Sequence, residues 1–321
     1  MDAITTIAQD WYVATLLLGV CMLILGGHLL VEGSVAIATK LGISKLVIGL
    51  TIVAFSTSSP ELALNVIASL NGHGDLCLGN IFGSNIANIG LVLGIGALIC
   101  KLPVTGRLIK VEFPLLVAAT GIVGGATLFF ELNLYWAIFF LGLFSLLMWQ
   151  WFHIGNEDES PLGAKSEEIA PVGHTSTVRA WILLIAGLVL LGFGGKATEI
   201  GAVTGALALG MSEIVVGGTV IAIATSLPEV VTTIIAAKKG HPDLAVGNVV
   251  GSNIFNILFV LPITILVQPI QASSGAWIYV AVMFGITLIA WFLAMDKRIK
   301  SKEGIILIGL YVLFLTWVSL F

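Results

Sequence analysis

Residues 47–61 read VIGLTIVAFSTSSPE, and 168 positions later residues 215–229 read VVGGTVIAIATSLPE, with 8 identities in 15 positions. Beyond each copy the likeness deepens. GHGDLCLGNIFGSNIANI at 72–89 overlays GHPDLAVGNVVGSNIFNI at 240–257 without a gap, with 12 identities in 18. Gly19, Gly26, Gly33 and Gly42 fall on Gly187, Gly194, Gly201 and Gly210 at the same offset. A fixed offset sustained over this much sequence marks two copies of one structural unit.

Composition sets the solvent of that unit. Of 321 residues, 58% are hydrophobic and only 10% charged, and mean hydropathy is +1.09. Soluble domains average about 25% charged residues. The apolar runs approach the ~20 residues that a helix needs to cross about 30 Å of hydrocarbon. Alternating, barrel-like segments are absent. The chain therefore reads as an all-α integral membrane protein. Ten spans are predicted at 12–38, 43–69, 76–100, 111–130, 134–153, 179–207, 212–237, 244–268, 275–295 and 304–321. Five spans per copy is odd, so the second copy enters the membrane upside down. The domains are a five-helix repeat at 1–153, an acidic linker at 154–178 and an inverted five-helix repeat at 179–321. Inverted repeats with interrupted helices place a transported substrate near the bilayer midplane, between the copies.

Charge supplies the orientation. Thirteen of the 14 Lys and Arg residues fall in loops on one side, among them Lys40, Lys101, Arg107, Lys238 and Arg298, while Lys196 lies inside a span. The basic side is read as cytoplasmic, with both termini outside and the plasma (inner) membrane as the expected location. MDAITTIAQDWYV lacks Lys and Arg, so it reads as mature sequence rather than a signal peptide. The linker, with Glu157, Asp158, Glu159, Glu167 and Glu168, reads as a solvated loop. Cys21, Cys77 and Cys100 are scattered and read as packing residues. No cofactor and no nucleic-acid partner are expected, and a monomer in the bilayer is the expected working unit.

The polar residues of the repeat carry the chemistry. Pro60 and Pro228 cannot continue the helical hydrogen bonds to Ser56 and Ala224, so each breaks its span and frees carbonyl oxygens at membrane depth. Thr57 and Ser58 stand four and three residues before Glu61 and share its face, as Thr225 and Ser226 do before Glu229. In the next spans Ser84 with Asn88, and Ser252 with Asn256, are four residues apart on one face. Together these groups form an all-oxygen set suited to hard cations such as Ca²⁺ and Na⁺. A carboxylate inside a span costs about 2.5–3.5 kcal/mol on insertion scales and marks a functional site by default.

The remaining polar residues have plainer readings. Asn65, Asn85 and Asn253 read as glue between helices. His28, Glu32, Lys196 and Glu199 read as locally paired or snorkelling groups, with gating or proton-linked groups as the alternative. Asp75 and Asp243 read as helix caps. Neither HExxH nor a cysteine–histidine pairing suited to catalysis is present, so an enzyme is not expected. A cation channel built from the same oxygens remains an alternative.

The paired TSSPE…GNIFGSNIAN and TSLPE…GNVVGSNIFN segments resemble the alpha repeats of the calcium/cation antiporter superfamily, sodium/calcium exchanger type. The resemblance covers essentially the whole chain. It implies alternating access that carries Ca²⁺ one way against Na⁺ or H⁺ the other, with Glu61 and Glu229 as central ligands. It adds backbone carbonyls near Ala54 and Ala222, and it makes spans one and six the mobile pair. Two departures stand out. Ser56 and Ala224 occupy a position where the family usually has glycine, so Ser56 either adds a ligand or bonds back to its own helix. Asn88 and Asn256 are both neutral, where several members carry one Asp. Two formal negative charges balance one Ca²⁺ or two Na⁺, which puts a third Na⁺ in doubt and makes H⁺ coupling a rival.

Overall fold

The structure, a computed structural model, describes residues 11–154, 176–210, 220–273 and 275–320. It is almost entirely helical. The first copy holds α1 (Tyr12–Leu41), α2 (Lys45–Thr57), α3 (Ser59–Leu70), α4 (Gly74–Ile99), α5 (Leu108–Phe129) and α6 (Leu134–Ile154). The second holds α7 (Thr177–Ala208), α8 (Ala222–Thr225), α9 (Leu227–Lys238), α10 (Pro242–Val267), α11 (Ala276–Ala294) and α12 (Ser301–Leu320). Among the described residues eight helices are long and apolar enough to cross a membrane, or nine if the bent pair α2–α3 is one broken span. The expected seventh span, 212–237, is described only from residue 220 onward, and most of the 154–178 linker lies outside the described residues.

The glycines of the repeat explain how the first helices of the two copies meet. Gly26 packs so closely on α7 that a Cβ there would stand 2.8 Å from the Leu191 amide nitrogen. Gly194 meets Leu23, and Gly201 meets Leu16, in the same way. The pairing runs antiparallel, and small residues at seven-residue spacing let the two backbones approach. The broken helix of the first copy is gripped by the second. Gly247 and Gly251 of α10 face α2, and a Cβ on Gly251 would stand 2.7 Å from the Leu50 carbonyl. Gly79 and Gly83, at the matching places in α4, have no neighbour within 4 Å among the described residues.

Short backbone pairings order the loops. Leu102–Pro103 pairs antiparallel with Arg298–Ile299, which joins the loops after α4 and α11. Leu132 pairs with Ile270, which joins the loops after α5 and α10. Each pair comprises loops that the distribution of basic residues assigns to one face.

Three local features differ from expectation. Asp75 is not a cap: it lies in the first turn of α4, behind His73, and accepts a hydrogen bond from the Ser273 amide at 2.9 Å. Asp243 likewise follows the capping position, held by His241. Burial, with the Lys45 ammonium 3.1 Å from Nδ1, holds the His241 pKa below its usual value. Glu112 lies inside the expected fourth span and the sequence reading gives it no role. It is fully buried, receives Arg107 Nε at 3.0 Å and Trp151 Nε1 at 3.1 Å, and ties the start of α5 to the end of α6. Val280 stands at the matching place in the second copy, so this staple belongs to one copy alone.

Candidate cation-binding site

Each copy breaks its second helix at the same point. In the first, α2 and α3 are bent by 43° at Ser58, whose backbone leaves the helical range at φ −85° and ψ 2°. In the second, Ser226 has φ −86° and ψ 0°. Pro60 and Pro228 stand in the first turn of the helices that follow, where a missing N–H costs nothing. Glu61 and Glu229 follow directly, in the first turns of α3 and α9. There the unpaired amides and the helix dipole favour a negative charge.

Ser56 resolves its two options as a back-bond: its hydroxyl donates to the Ile52 carbonyl at 2.6 Å. The Ala54 carbonyl is buried and accepts the Ser58 amide at 2.9 Å and the Thr57 hydroxyl at 3.3 Å. In the second copy the Ser226 amide bonds the Ala224 carbonyl. The two breaks are therefore alike in dihedral angle.

The next helices carry a feature that the sequence reading misses. Asn88–Leu93 in α4 and Asn256–Val260 in α10 are π-helical turns at matching positions, each opening on the candidate asparagine. Such wide turns re-aim side chains and are frequent at functional sites. Gly49–Val53, just before the first break, is a third.

All ten side chains expected to supply oxygens are buried: Glu61, Glu229, Thr57, Ser58, Thr225, Ser226, Ser84, Asn88, Ser252 and Asn256. Several meet across the copies. The Thr57 hydroxyl donates to Asn248 Oδ1 at 3.1 Å and lies 3.2 Å from Ser252 Oγ. Ser58 Oγ donates to Glu229 Oε1 at 3.4 Å. Glu61 and Glu229 lie within electrostatic reach of each other. The Asn256 amide donates to Asn85 Oδ1 at 3.1 Å, so Asn85 bonds between the copies.

What the site lacks is as informative. Glu61 Oε1 and Oε2, Glu229 Oε2, Ser84 Oγ, Asn88 Oδ1 and Nδ2, Ser226 Oγ and Asn256 Oδ1 are buried without a hydrogen-bond partner among the described residues. They are eight of the sixteen such side-chain atoms described, so half of the unmet polar need falls on the expected ligand residues. Buried polar groups are normally satisfied, and buried charges are paired or bind a metal. None of the three ion pairs among the described residues involves Glu61 or Glu229. No group of three or more His, Cys, Asp or Glu sits together among those residues. The donor set is thus two carboxylates among neutral oxygens.

Asn80 and Asn248 complete the constellation and were passed over in the sequence. Asn65 donates to Asn80 Oδ1 at 2.8 Å, while Asn248 donates to Thr233 Oγ1 at 3.1 Å. Both bonds tie the broken helix to the next one. The signal was present: Asn80, Ser84 and Asn88 repeat every four residues, as do Asn248, Ser252 and Asn256.

A cavity of about 730 Å³ lies between α3 and α7, reaching Ser56, Pro60, Thr225 and Pro228 at its inner end. Its walls are formed by residues of both broken helices and of α7.

Known proteins share this chain's sequence and fold over nearly its whole length. The family model described as sodium/calcium exchanger protein matches twice, over residues 11–152 and 179–320. The chain is 38% identical over 306 residues to CaxA of Alkalimonas amylolytica, named as an antiporter, covering 92% of this chain and 95% of CaxA. It is 31% identical over 345 residues to the sodium/calcium exchanger MaX1 of Methanosarcina acetivorans, covering 94% and 96%. Its fold overlays the sodium-calcium exchanger NCX_Mj soaked with 10 mM Na⁺ and zero Ca²⁺, with a TM-score of 0.82, 30% identity and coverage of 95% and 98%. The chain belongs to the sodium/calcium exchanger family.

Proposed function

We propose that this protein is a secondary active antiporter that moves Ca²⁺ across a membrane in exchange for Na⁺ by alternating access. Its ten spans form two inverted five-helix repeats, and the ions bind at the midplane between them. The observation that carries this reading is the pair of buried carboxylates, Glu61 and Glu229, set after matched helix breaks among partnerless oxygens. A dehydrated cation supplies what those oxygens lack. Glu61 and Glu229 bridge it, Thr57, Ser58, Ser84 and Asn88 ligate from one copy, and Thr225, Ser226, Ser252 and Asn256 from the other. The carbonyls of Ala54 and Ala222 lie at the edge of this shell.

Because Asn88 and Asn256 are neutral, the two carboxylates balance one Ca²⁺ or two Na⁺. The same pair can hold protons in place of sodium, which keeps H⁺-coupled exchange of Ca²⁺ or another divalent cation as the second reading. No cofactor beyond the transported ions is needed. The protein works as a monomer in the plasma (inner) membrane with both termini outside, the basic loops facing the cytoplasm.

Purified protein in liposomes tests the reading. ⁴⁵Ca²⁺ uptake is driven in turn by an imposed Na⁺, H⁺ or K⁺ gradient as the only counter-ion gradient. Uptake that follows the Na⁺ gradient and moves Na⁺ the other way supports Na⁺ coupling. Uptake that follows only the H⁺ gradient replaces it with proton coupling. Flux that needs no counter-ion identifies a channel instead.

A further inference from the structure

Two charges in the seventh helix of the structure have no part in the ten-oxygen set. Lys196 Nζ donates to Glu199 Oε1 at 2.8 Å, one turn along α7. Both line the cavity that ends at Pro60, Thr225 and Pro228. Their exposures differ: the Lys196 side chain is 60% exposed and that of Glu199 only 17%. Charged side chains within membrane spans face the bundle interior or a wet cavity and mark ion paths. The matching positions of the first copy hold His28 and Val31, with Glu32 one residue further on, so a lysine–glutamate pair at this spacing belongs to α7 alone.

We infer that Lys196 and Glu199 form a charge filter in the access cavity, Glu199 being the first carboxylate an entering cation meets. This rests on the cation-transport reading of the same site. Closed, the pair presents no net charge. A cation that takes the Glu199 oxygen displaces the ammonium, whose long, exposed side chain is free to swing aside. The displaced ammonium then repels the entering ion in proportion to its charge, twice as strongly for a divalent as for a monovalent ion at the same distance. Glu199 attracts with the same proportionality. Lys196 thus handicaps Ca²⁺ relative to Na⁺, and Glu199 favours it. The handed-on ion next meets Thr225 and then Glu229.

The test measures the Ca²⁺ association rate of the full chain by stopped flow with a competing chelator dye, alongside ⁴⁵Ca²⁺ flux in liposomes. K196Q should raise the association rate and lower the KM for Ca²⁺ by about threefold or more, and E199Q should do the reverse, both with kcat nearly unchanged. The shifts should shrink as salt rises and should appear only when Ca²⁺ is offered on the side to which the cavity opens. Unchanged rates in both variants, or shifts in the same direction, as expected of a pair that merely steadies the helix, would overturn the filter. Opposed rate shifts without any counter-ion-driven flux would keep the filter and sink the antiport reading. An absence of Ca²⁺ binding by the unaltered protein would sink both.

Discussion

The third and ninth helices hold matching places in the two copies, each opening on Pro-Glu, and live in different surroundings. Ile67 in α3 is 60% exposed, whereas Ile235, its match in α9, is 6% exposed. The cause is the first helix of the opposite copy. At Gly27 of α1 an added Cβ would stand 2.8 Å from Ile235 and 3.0 Å from Val231, so α1 seals α9. At Gly195 of α7, the matching residue, it would meet only Pro228, at 3.3 Å, and the cavity separates α7 from the rest of α3. Asn248 is fully buried, bonded to Thr57 and Thr233, while Asn80 is half-buried. One repeated sequence thus yields one open flank and one closed flank. An alternating-access cycle would exchange them, with α1 and α7 moving as the glycine-packed pair.

The largest expected effect falls where the copies are alike. Glu61→Gln and Glu229→Gln should each lower ⁴⁵Ca²⁺ exchange by about 100-fold or more, since each removes half of the site's charge. Both should still elute as folded protein. Near-normal exchange by either would remove that residue from the site. A smaller effect should appear where the copies differ. In a background free of Cys21, Cys77 and Cys100, Ile67→Cys should react with a small thiol reagent about tenfold faster than Ile235→Cys, because only the former borders the cavity. Equal rates would mean that the flanks exchange freely at rest. Bound Ca²⁺ or Na⁺ that reverses the ratio would demonstrate the exchange directly. The smallest effect concerns stability. Asn248→Ala removes one bond of the Thr57 hydroxyl and the bond to Thr233 and should cost about 1–3 kcal/mol in thermal or denaturant unfolding. Asn80→Ala, half-buried, should cost less. The opposite order would mean that the cavity side bears the tighter packing.

Much of the candidate site is legible in the sequence. A carboxylate after a proline in an apolar span is so costly that its recurrence 168 residues later leaves function as the reason. Span boundaries were legible to within three residues where they are described, because hydrocarbon thickness fixes helix length. Glu112 was equally costly and equally visible, but its partner Arg107 and the Trp151 indole lie five and 39 residues away. Nothing in the local pattern distinguishes a stapled carboxylate from a ligating one. The π turns at Asn88 and Asn256 leave no compositional trace, since they differ from α-helix only in which carbonyl each amide selects.

By itself the sequence determined the solvent, the helices, the repeat and the residues that hold charge or oxygen in oil. These follow from composition, from periodicity and from the cost of polar groups in hydrocarbon, all of which act locally. Tertiary structure decided which oxygens meet, with Thr57 reaching Ser252 and Ser58 reaching Glu229 across the copies. It also decided which flank stands open. The motif that the two halves share cannot encode that difference, and the packing of α1 on α9 and the gap beside α7 break the symmetry.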